Sequence, residues 1–581
     1  MAPSSAPPSP TPKVELTQIF NHDAAANCEK GIETVPGMKA SFDGEKPADD
    51  FVILTADADL QYITGIKLYL AVASVSLVLF IMLLDISIIA TAIPLITDQF
   101  HSLQDVGWYG SAYLLASCAV QPLTGKIYTD FNLKYSFLVF IAVFELGSIL
   151  CGAASSSVML IVGRAVAGMG AAGLMNGGLT IVAALAPMPK RPALTGIVMG
   201  FGQLGIVLGP LLGGALTQYA SWRWCFYINL PIGGVAIGVL LLIDIPETLK
   251  LKASTTMTTS KPTLASSITR FDLVGFAIFA PFAIMLLLAL EWGGTKYAWN
   301  SATIIGLFCG AGALLIIFLV WERRAGSDAM FPFSILRVRI VWCSFGVITC
   351  FGGAMMIYSY YLPIYFQAVK GKSPFESGVD ILPGIVAQLF ATVVSGILLG
   401  KTGYYLPWML TAGVFMSVGM GLMGSFTVFT SAARWAGYQI VASLGRGCGM
   451  QIPTVAMQNA LPPTQIAIGM SVLIFGQTIG GAVFLALAQV VFGRSIVDRL
   501  KEKAPTVDPQ AVIAAGATAF QNNVEPDHIV VILEAYNLAL NDVFFLSAGV
   551  AVGTFVFALG MGWVDIRKKK ANTPEPQTAE V

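Results

Sequence analysis

The chain divides by polarity into one long polar stretch and a series of apolar runs joined by short polar turns. Residues 1–62 are rich in Pro, Ala, Ser, Asp and Glu and contain no apolar core of signal-peptide length, so they read as a disordered cytosolic tail. Beyond them, fourteen runs approach or exceed the roughly 20 helical residues that cross a hydrocarbon core of about 30 Å. They cover residues 68–93, 108–128, 135–154, 158–184, 195–217, 224–243, 271–291, 301–321, 341–367, 379–399, 408–426, 435–457, 470–491 and 542–563. Backbone polar groups inside a bilayer must pair within the protein, and the abundant glycine and irregular apolar spacing suit helices better than barrel strands of about ten alternating residues. The predicted fold is all-α and integral to the membrane, with about 14 transmembrane helices.

The connections give the expected organisation. An even number of spans puts both ends of the chain on one side, and Lys and Arg in the short loops choose the side. Lys126, Lys134, Lys190, Arg191, Lys250, Lys252, Arg270, Arg323, Arg324, Arg337, Arg339, Lys401 and the run Arg567 to Lys570 fall on the tail side, against Arg223, Lys296, Lys370, Lys372 and Arg434 opposite. Both termini are therefore expected in the cytosol. The 493–541 loop also carries Arg494, Arg499, Lys501 and Lys503, but at that length its charge weighs less, and it reads as a small extracytosolic cap. Gly125-Lys126 closes the second run and Gly400-Lys401 the tenth, a faint internal repeat. It suggests two six-helix pseudo-repeat bundles, 63–245 and 341–565, joined through a linker and two extra central helices at 246–340, with a cytosolic tail at 566–581.

Composition narrows the function. At 56% apolar and 11% charged, with a mean hydropathy of +0.74, the chain lies far from the soluble norm of roughly 25% charged. Lys plus Arg equals Asp plus Glu at 33 each, so nothing points to nucleic acid as a partner. The eight cysteines stand singly, with no CxxC pair, and read as small buried hydrophobes. Three histidines, His22, His101 and His528, are too few and too scattered for the histidine boxes of a membrane metalloenzyme, and no nucleophile set appears, so no enzyme activity and no metal or other cofactor is expected.

Two glycine patterns mimic nucleotide sites. Gly168-Met169-Gly170-Ala171-Ala172-Gly173 satisfies GxGxxG but lies inside an apolar run with no strand before it, where close helix packing explains it. Ser395 to Thr402 approximates a phosphate loop with Ser in place of its first Gly. Without a true phosphate loop, ATP is not expected as a partner or an energy source. The fifth run is more informative. Gly196, Gly200, Gly202, Gly205, Gly209, Gly213 and Gly214 form a small-residue stripe, interrupted by Pro210, which removes one helical hydrogen bond.

That run, Gly205 to Gly214, resembles the gxxxGPxxGG antiporter motif of the major facilitator superfamily. Leu84 to Pro94 resembles the LDxTIVxxALP first-span motif, Gly125 to Asp130 the start of the GxLaDrxGrr loop, Gly163 to Gly170 the fourth-span GRxxqGxG, and Trp222 to Pro231 the WRWxFyiNlP of the fourteen-span drug:proton antiporter branch. The likeness extends from about Leu68 to Trp563 and is greatest to fungal toxin and multidrug efflux pumps. The chain departs from these motifs at Phe131-Asn132-Leu133-Lys134, which lacks most of the loop arginines, and at Ala167, which replaces a Gln. The resemblance implies proton-coupled efflux of drugs, mycotoxins or other secondary metabolites, powered by the proton gradient without a cofactor. It implies conformational roles for Gly205, Gly209, Pro210, Gly213 and Gly214 and a gating loop of Gly125, Lys126 and Asp130. A siderophore or nutrient proton symporter shares the plan and is the alternative, with a receptor that transports nothing more remote. The plasma membrane is the expected location, with a vacuolar or vesicular membrane as the alternative.

Ionisable groups at bilayer depth are costly and functional by default. Asp85, Glu145 and Arg164 are the expected proton-coupling set, and Arg446 joins Gln203, Asn229, Tyr358, Tyr361, Gln388, Gln451 and Gln477 as candidates for the substrate path. The expected cycle rocks two bundles about a central cavity, with the stripe around Pro210 as the sliding surface.

Overall fold

The computed structural model of the protein describes residues 63–101, 105–245, 272–294, 296–326, 329–503 and 526–567. The expected N-terminal tail, most of the 246–271 linker, the middle of the 493–541 loop and the end of the C-terminal tail lie outside the described residues.

The described residues form seventeen α-helices and no strand. The first half holds α1 (Ile66–Phe100), α2 (Val106–Asp130), α3 (Leu133–Gly152), α4 (Ser157–Leu185), α5 (Arg191–Tyr219), the short α6 (Trp224–Tyr227) and α7 (Asn229–Leu242). Then come α8 (Leu273–Trp292), α9 (Ala302–Ala325) and the short α10 (Phe333–Leu336). The second half holds α11 (Arg339–Ile364), α12 (Pro374–Thr402), α13 (Leu406–Met423), α14 (Ala432–Gly449), α15 (Ile452–Ala460), α16 (Ile466–Lys503) and α17 (Pro526–Leu559).

Each of the fourteen apolar runs falls on one of these helices or on a helix pair. Twelve helical segments are long and apolar enough to cross a membrane. The two that fall short are α2, with Tyr109, Tyr113 and Gln121, and α14, with Gln439, Ser443 and Arg446. Two runs expected as continuous are broken, the sixth at Ile228 between α6 and α7 and the twelfth at Met450-Gln451 between α14 and α15. The 493–541 loop is also shorter than expected, because α16 stays helical to Lys503 and α17 begins at Pro526.

Local chemistry sets several helix starts. Asn132, Ser156, Asp272 and Ser301 each accept a backbone N–H of the first turn of α3, α4, α8 and α9. Ser373 and Glu376 form a reciprocal capping box at the start of α12, and Gly403, with φ 80°, ends that helix in the left-handed region.

Packing in the first half is repeated in the second. α1 lies along α5 as α11 lies along α16, α2 and α3 both pack on α4 as α12 and α13 pack on α14, and α1 touches α7 as α11 touches α17. The halves meet reciprocally through α5 with α12 and α2 with α16, while α8 and α9 pair with each other and lean on α2 through α8. Val139, Leu146, Leu242, Ile316 and Phe390 are exposed. Apolar residues outside and buried polar residues inside are what a lipid solvent selects.

Candidate proton and substrate site

Glycine brings the polar groups of the first half together. A Cβ at Gly168 would collide with Tyr113 O, one at Gly147 with Ala167 N, and one at Gly170 would lie 2.5 Å from Phe144 N. α4 therefore lies backbone-close to α2 and α3, so the GxGxxG run acts as a packing surface. Arg164, on the same helix, is held 1% exposed against Asp85 of α1, itself 0% exposed. Arg164 Nη1 lies 2.5 Å from Asp85 Oδ2, Nε donates to Tyr109 O at 2.9 Å, and the guanidinium carbon stands 4.5 Å from the Tyr113 ring centre. Asn229 Nδ2, at the start of α7, donates to the other Asp85 oxygen at 3.2 Å and to Ser148 Oγ at 3.1 Å.

One turn before Ser148 on α3 is Glu145, 8% exposed, with neither carboxylate oxygen hydrogen-bonded. Its Oε1 occupies the space a side chain at Gly233 would need. The three residues expected to couple to protons thus lie in one half, in two different states. Asp85 and Arg164 neutralise each other, while Glu145 makes no hydrogen bond.

The antiporter-motif glycines Gly205 and Gly209 face α1 of their own half. Side chains at Gly205 and Gly209 would strike Phe80 O and Ser87 Oγ of α1, and Ser87 Oγ donates to Gly205 O at 3.2 Å. These glycines close α5 onto its own half, and the space beside Gly214 is open. Gly213 is buried on the same helix, and the side chain of Pro210 lies outside the described residues. Contact between the halves falls earlier on α5. A Cβ at Gly196 would lie 2.7 Å from Gln451 Oε1 and 3.0 Å from Thr392 O, and Gly200 faces Leu389 and Val393 of α12. In this structure α5 touches α12 at Gly196 and Gly200, while Gly205 and Gly209 touch α1.

Other close approaches between the halves cluster at the same end of the helices. A Cβ at Gly125 would lie 2.7 Å from Ser471 Oγ, and one at Gly396 2.7 Å from Pro192 O. Gln458 Nε2 donates across to Leu179 O at 3.3 Å, while Gln451 Nε2 donates within its own half to Thr392 O and Ser395 Oγ at 3.1 Å each. Gly125 thus belongs to this closed end, with Lys126 buried next to it and Asp130 as the last residue of α2. The break after α14 places Gln451 where it can tie α12.

The remaining substrate-path candidates divide between places. Gln477 lines a small cleft between the halves with Met175, Met199, Ile348, Met450 and Thr454. Gln388 points its amide at the sulfur of Met450, 3.9 Å away, and Tyr361 packs on Phe492 with ring centres 5.7 Å apart. Gln203 is half-buried on α5. Tyr358 lies over Arg446, which is 3% exposed, with the guanidinium carbon 3.6 Å from the ring centre. Arg446 Nη2 donates to Ser443 Oγ at 2.8 Å, and its Nε has no partner. Sequence reasoning missed Tyr109, Tyr113, Ser148, Gln439 and Ser443. The available signal was spacing, since Tyr109 and Tyr113 are four residues apart, and Gln439, Ser443 and Arg446 share one helical face.

Comparison with known proteins agrees with this architecture. Residues 75–326 match the model of the Major Facilitator Superfamily. The chain is 55% identical to the efflux pump mlcE of Penicillium citrinum over 521 residues, covering 89% of this chain and 94% of that one. It is 53% identical to the MFS-type transporter pigP of Monascus ruber, covering 88% and 89% of the two chains. The structure of the proton:xylose symporter XylE superposes with a TM-score of 0.53 at 15% identity, over 85% of this chain and 94% of that one, a likeness of fold alone. The chain belongs to the major facilitator superfamily.

Proposed function

We propose that the protein exports small organic compounds, such as drugs, mycotoxins and other secondary metabolites, in exchange for protons. Similarity to a relative named an efflux pump supports the direction of transport. The observation that carries the coupling is the contrast between Asp85, paired with Arg164, and Glu145, whose two oxygens are buried without a hydrogen bond. A carboxyl group already held by a guanidinium and an amide gains little from a proton, whereas one without partners is free to take and release it. Glu145 is the carrier in this reading, and the Asp85–Arg164–Asn229 assembly ties to the same helix one turn away, at Ser148.

In this reading the chain spans the plasma membrane fourteen times, and the loop charges favour both termini, and with them the closed end bearing Lys126, Arg191 and Lys401, in the cytosol. In this reading a closed cytosolic end belongs to the state that releases substrate outside and loads Glu145. Rocking about Gly196 and Gly200 opens the cytosolic side, where the proton leaves and the next substrate enters. One proton crossing about 100 mV supplies roughly 2.3 kcal/mol, enough for a concentration ratio of some tens-fold before any pH gradient is added.

The test is accumulation of a panel of fluorescent drugs and fungal metabolites in cells expressing wild type or Glu145→Gln, with and without a protonophore. Wild type should lower accumulation several-fold, and either the substitution or the protonophore should abolish the effect. Export that survives the protonophore would sink proton coupling, and accumulation raised by wild type would establish an importer.

A further inference from the structure

The second half contains a buried cation that the proton cycle does not use. Arg446 is 3% exposed and has no acidic group at ion-pair distance among the described residues. Isolated charge at this depth is expensive, and a merely structural guanidinium would be expected to have a carboxylate beside it. Its surroundings are polar but neutral. Gln439, Ser443 and Arg446 recur at helical spacing along one face of α14, with Met450 directly after its end, all buried. Gln439 donates to Asp380 O at 3.1 Å and lies 3.5 Å from the Tyr358 hydroxyl. Gly384 of α12 leaves room for this group, since a Cβ there would lie 2.5 Å from Tyr358 Oη and 2.9 Å from Ser443 Oγ.

The geometry around the guanidinium is selective. Tyr358 covers its face, so what remains is the in-plane edge, where Nε has no partner and Nη2 donates to Ser443. An Nε–Nη edge is the fork that a planar carboxylate fits with two parallel hydrogen bonds, and an aromatic ring on the face leaves that fork intact. Met450, one turn beyond Arg446, lines the cleft between the halves, and the Gln388 amide rests on its sulfur. The rest of the cleft lining is largely methionine, leucine and isoleucine, which suits an apolar body behind a charged head.

We propose that Arg446 is the anchor for the carboxylate of amphipathic organic acids, with Tyr358 holding its plane and Ser443 its rotamer, so that the preferred substrates are organic anions with an apolar body. This rests on the export reading for the word substrate, but the binding itself needs no gradient. Purified full-length protein in nanodiscs at pH 7.5 would therefore be titrated with 11-(dansylamino)undecanoate and with its methyl ester, reading dansyl fluorescence above that of empty nanodiscs. Wild type should bind the acid at least about tenfold more tightly than the ester, the ratio expected for a charge-assisted pair. Arg446→Gln should lower acid affinity to that of the ester while leaving ester binding unchanged, Arg446→Lys should fall between, and Arg434→Gln, at an exposed arginine, should match wild type. Equal affinity of wild type for acid and ester overturns the proposal even if no variant folds, and so does an Arg446→Gln protein that keeps the preference. Failure of proton coupling in cells with the acid preference intact would sink the transport reading and leave this site standing.

Discussion

The two halves of the molecule repeat one packing plan and treat the same cation in opposite ways. Gly163-Arg164 on α4 and Gly445-Arg446 on α14 occupy matching helices, the helix in each half that receives the second and third helices of that half. Arg164 meets Asp85 at 2.5 Å and is further held by Tyr109 O and the Tyr113 ring. Among the described residues, Arg446 meets the Tyr358 ring and the Ser443 hydroxyl and no carboxylate. A neutralised pair can be a fixed element of the fold, whereas an unneutralised charge leaves binding energy for something that arrives from outside. The first half thus reads as the site of proton chemistry and the second as the site of substrate selection.

The largest expected effect comes from breaking the pair. Asp85→Ala leaves Arg164 buried without a counter-charge, which costs about 3–5 kcal/mol and should sharply lower the thermal unfolding midpoint in detergent. An unfolding midpoint equal to that of wild type would mean that the pair contributes no more than its neutral counterpart. Next is the helix crossing that both halves share. Gly205 faces Phe80 O across α1 and α5, and Gly480 faces Thr349 O across α11 and α16. Valine at either position should cost about 1–3 kcal/mol through overpacking. A loss at Gly205 alone, measured by the same melts, would deny that the halves are packed alike.

Smaller again is Asn229→Ala, which removes one hydrogen bond to Asp85 and one to Ser148. About 1 kcal/mol is expected, together with weakened proton exchange, since Ser148 lies one turn from Glu145. The smallest effect belongs to Arg446. Arg446→Met removes a charge that has no acidic partner, so stability should stay within about 0.5 kcal/mol of wild type or rise. A large loss would make Arg446 a structural residue after all.

Much of this was legible in the sequence, and the reasons differ by feature. The apolar runs located the helices because a bilayer demands length and apolarity at once. They overran at Ile228 and Met450-Gln451, where the flanking sequence stays largely apolar while the helix breaks, and they stopped short at Gly493, where a polar helix continues to Lys503. Asp85, Glu145 and Arg164 stood out as charges at membrane depth, but their difference did not. Which carboxylate has a partner depends on Arg164 of α4 and Asn229 of α7 both reaching Asp85 of α1, across 79 and 144 residues of sequence. Gly205 and Gly209 were visible as a close-packing stripe, yet spacing alone does not say which helix comes close. The contacts with Phe80 and Ser87 give α1. Ser443 and Gln439 stayed hidden because either residue is ordinary alone and becomes informative only beside Arg446.

The central claim is that Glu145 carries the exchanged proton, and its most direct measurement is made in proteoliposomes containing a pH-sensitive dye and a compound that the cell assay has shown to be exported. In wild type, an imposed substrate gradient should drive proton movement the other way, visible as a change in internal pH. Glu145→Gln should lose that proton movement and keep substrate-for-substrate exchange. Substrate-driven proton movement in Glu145→Gln equal to that of wild type would contradict the account.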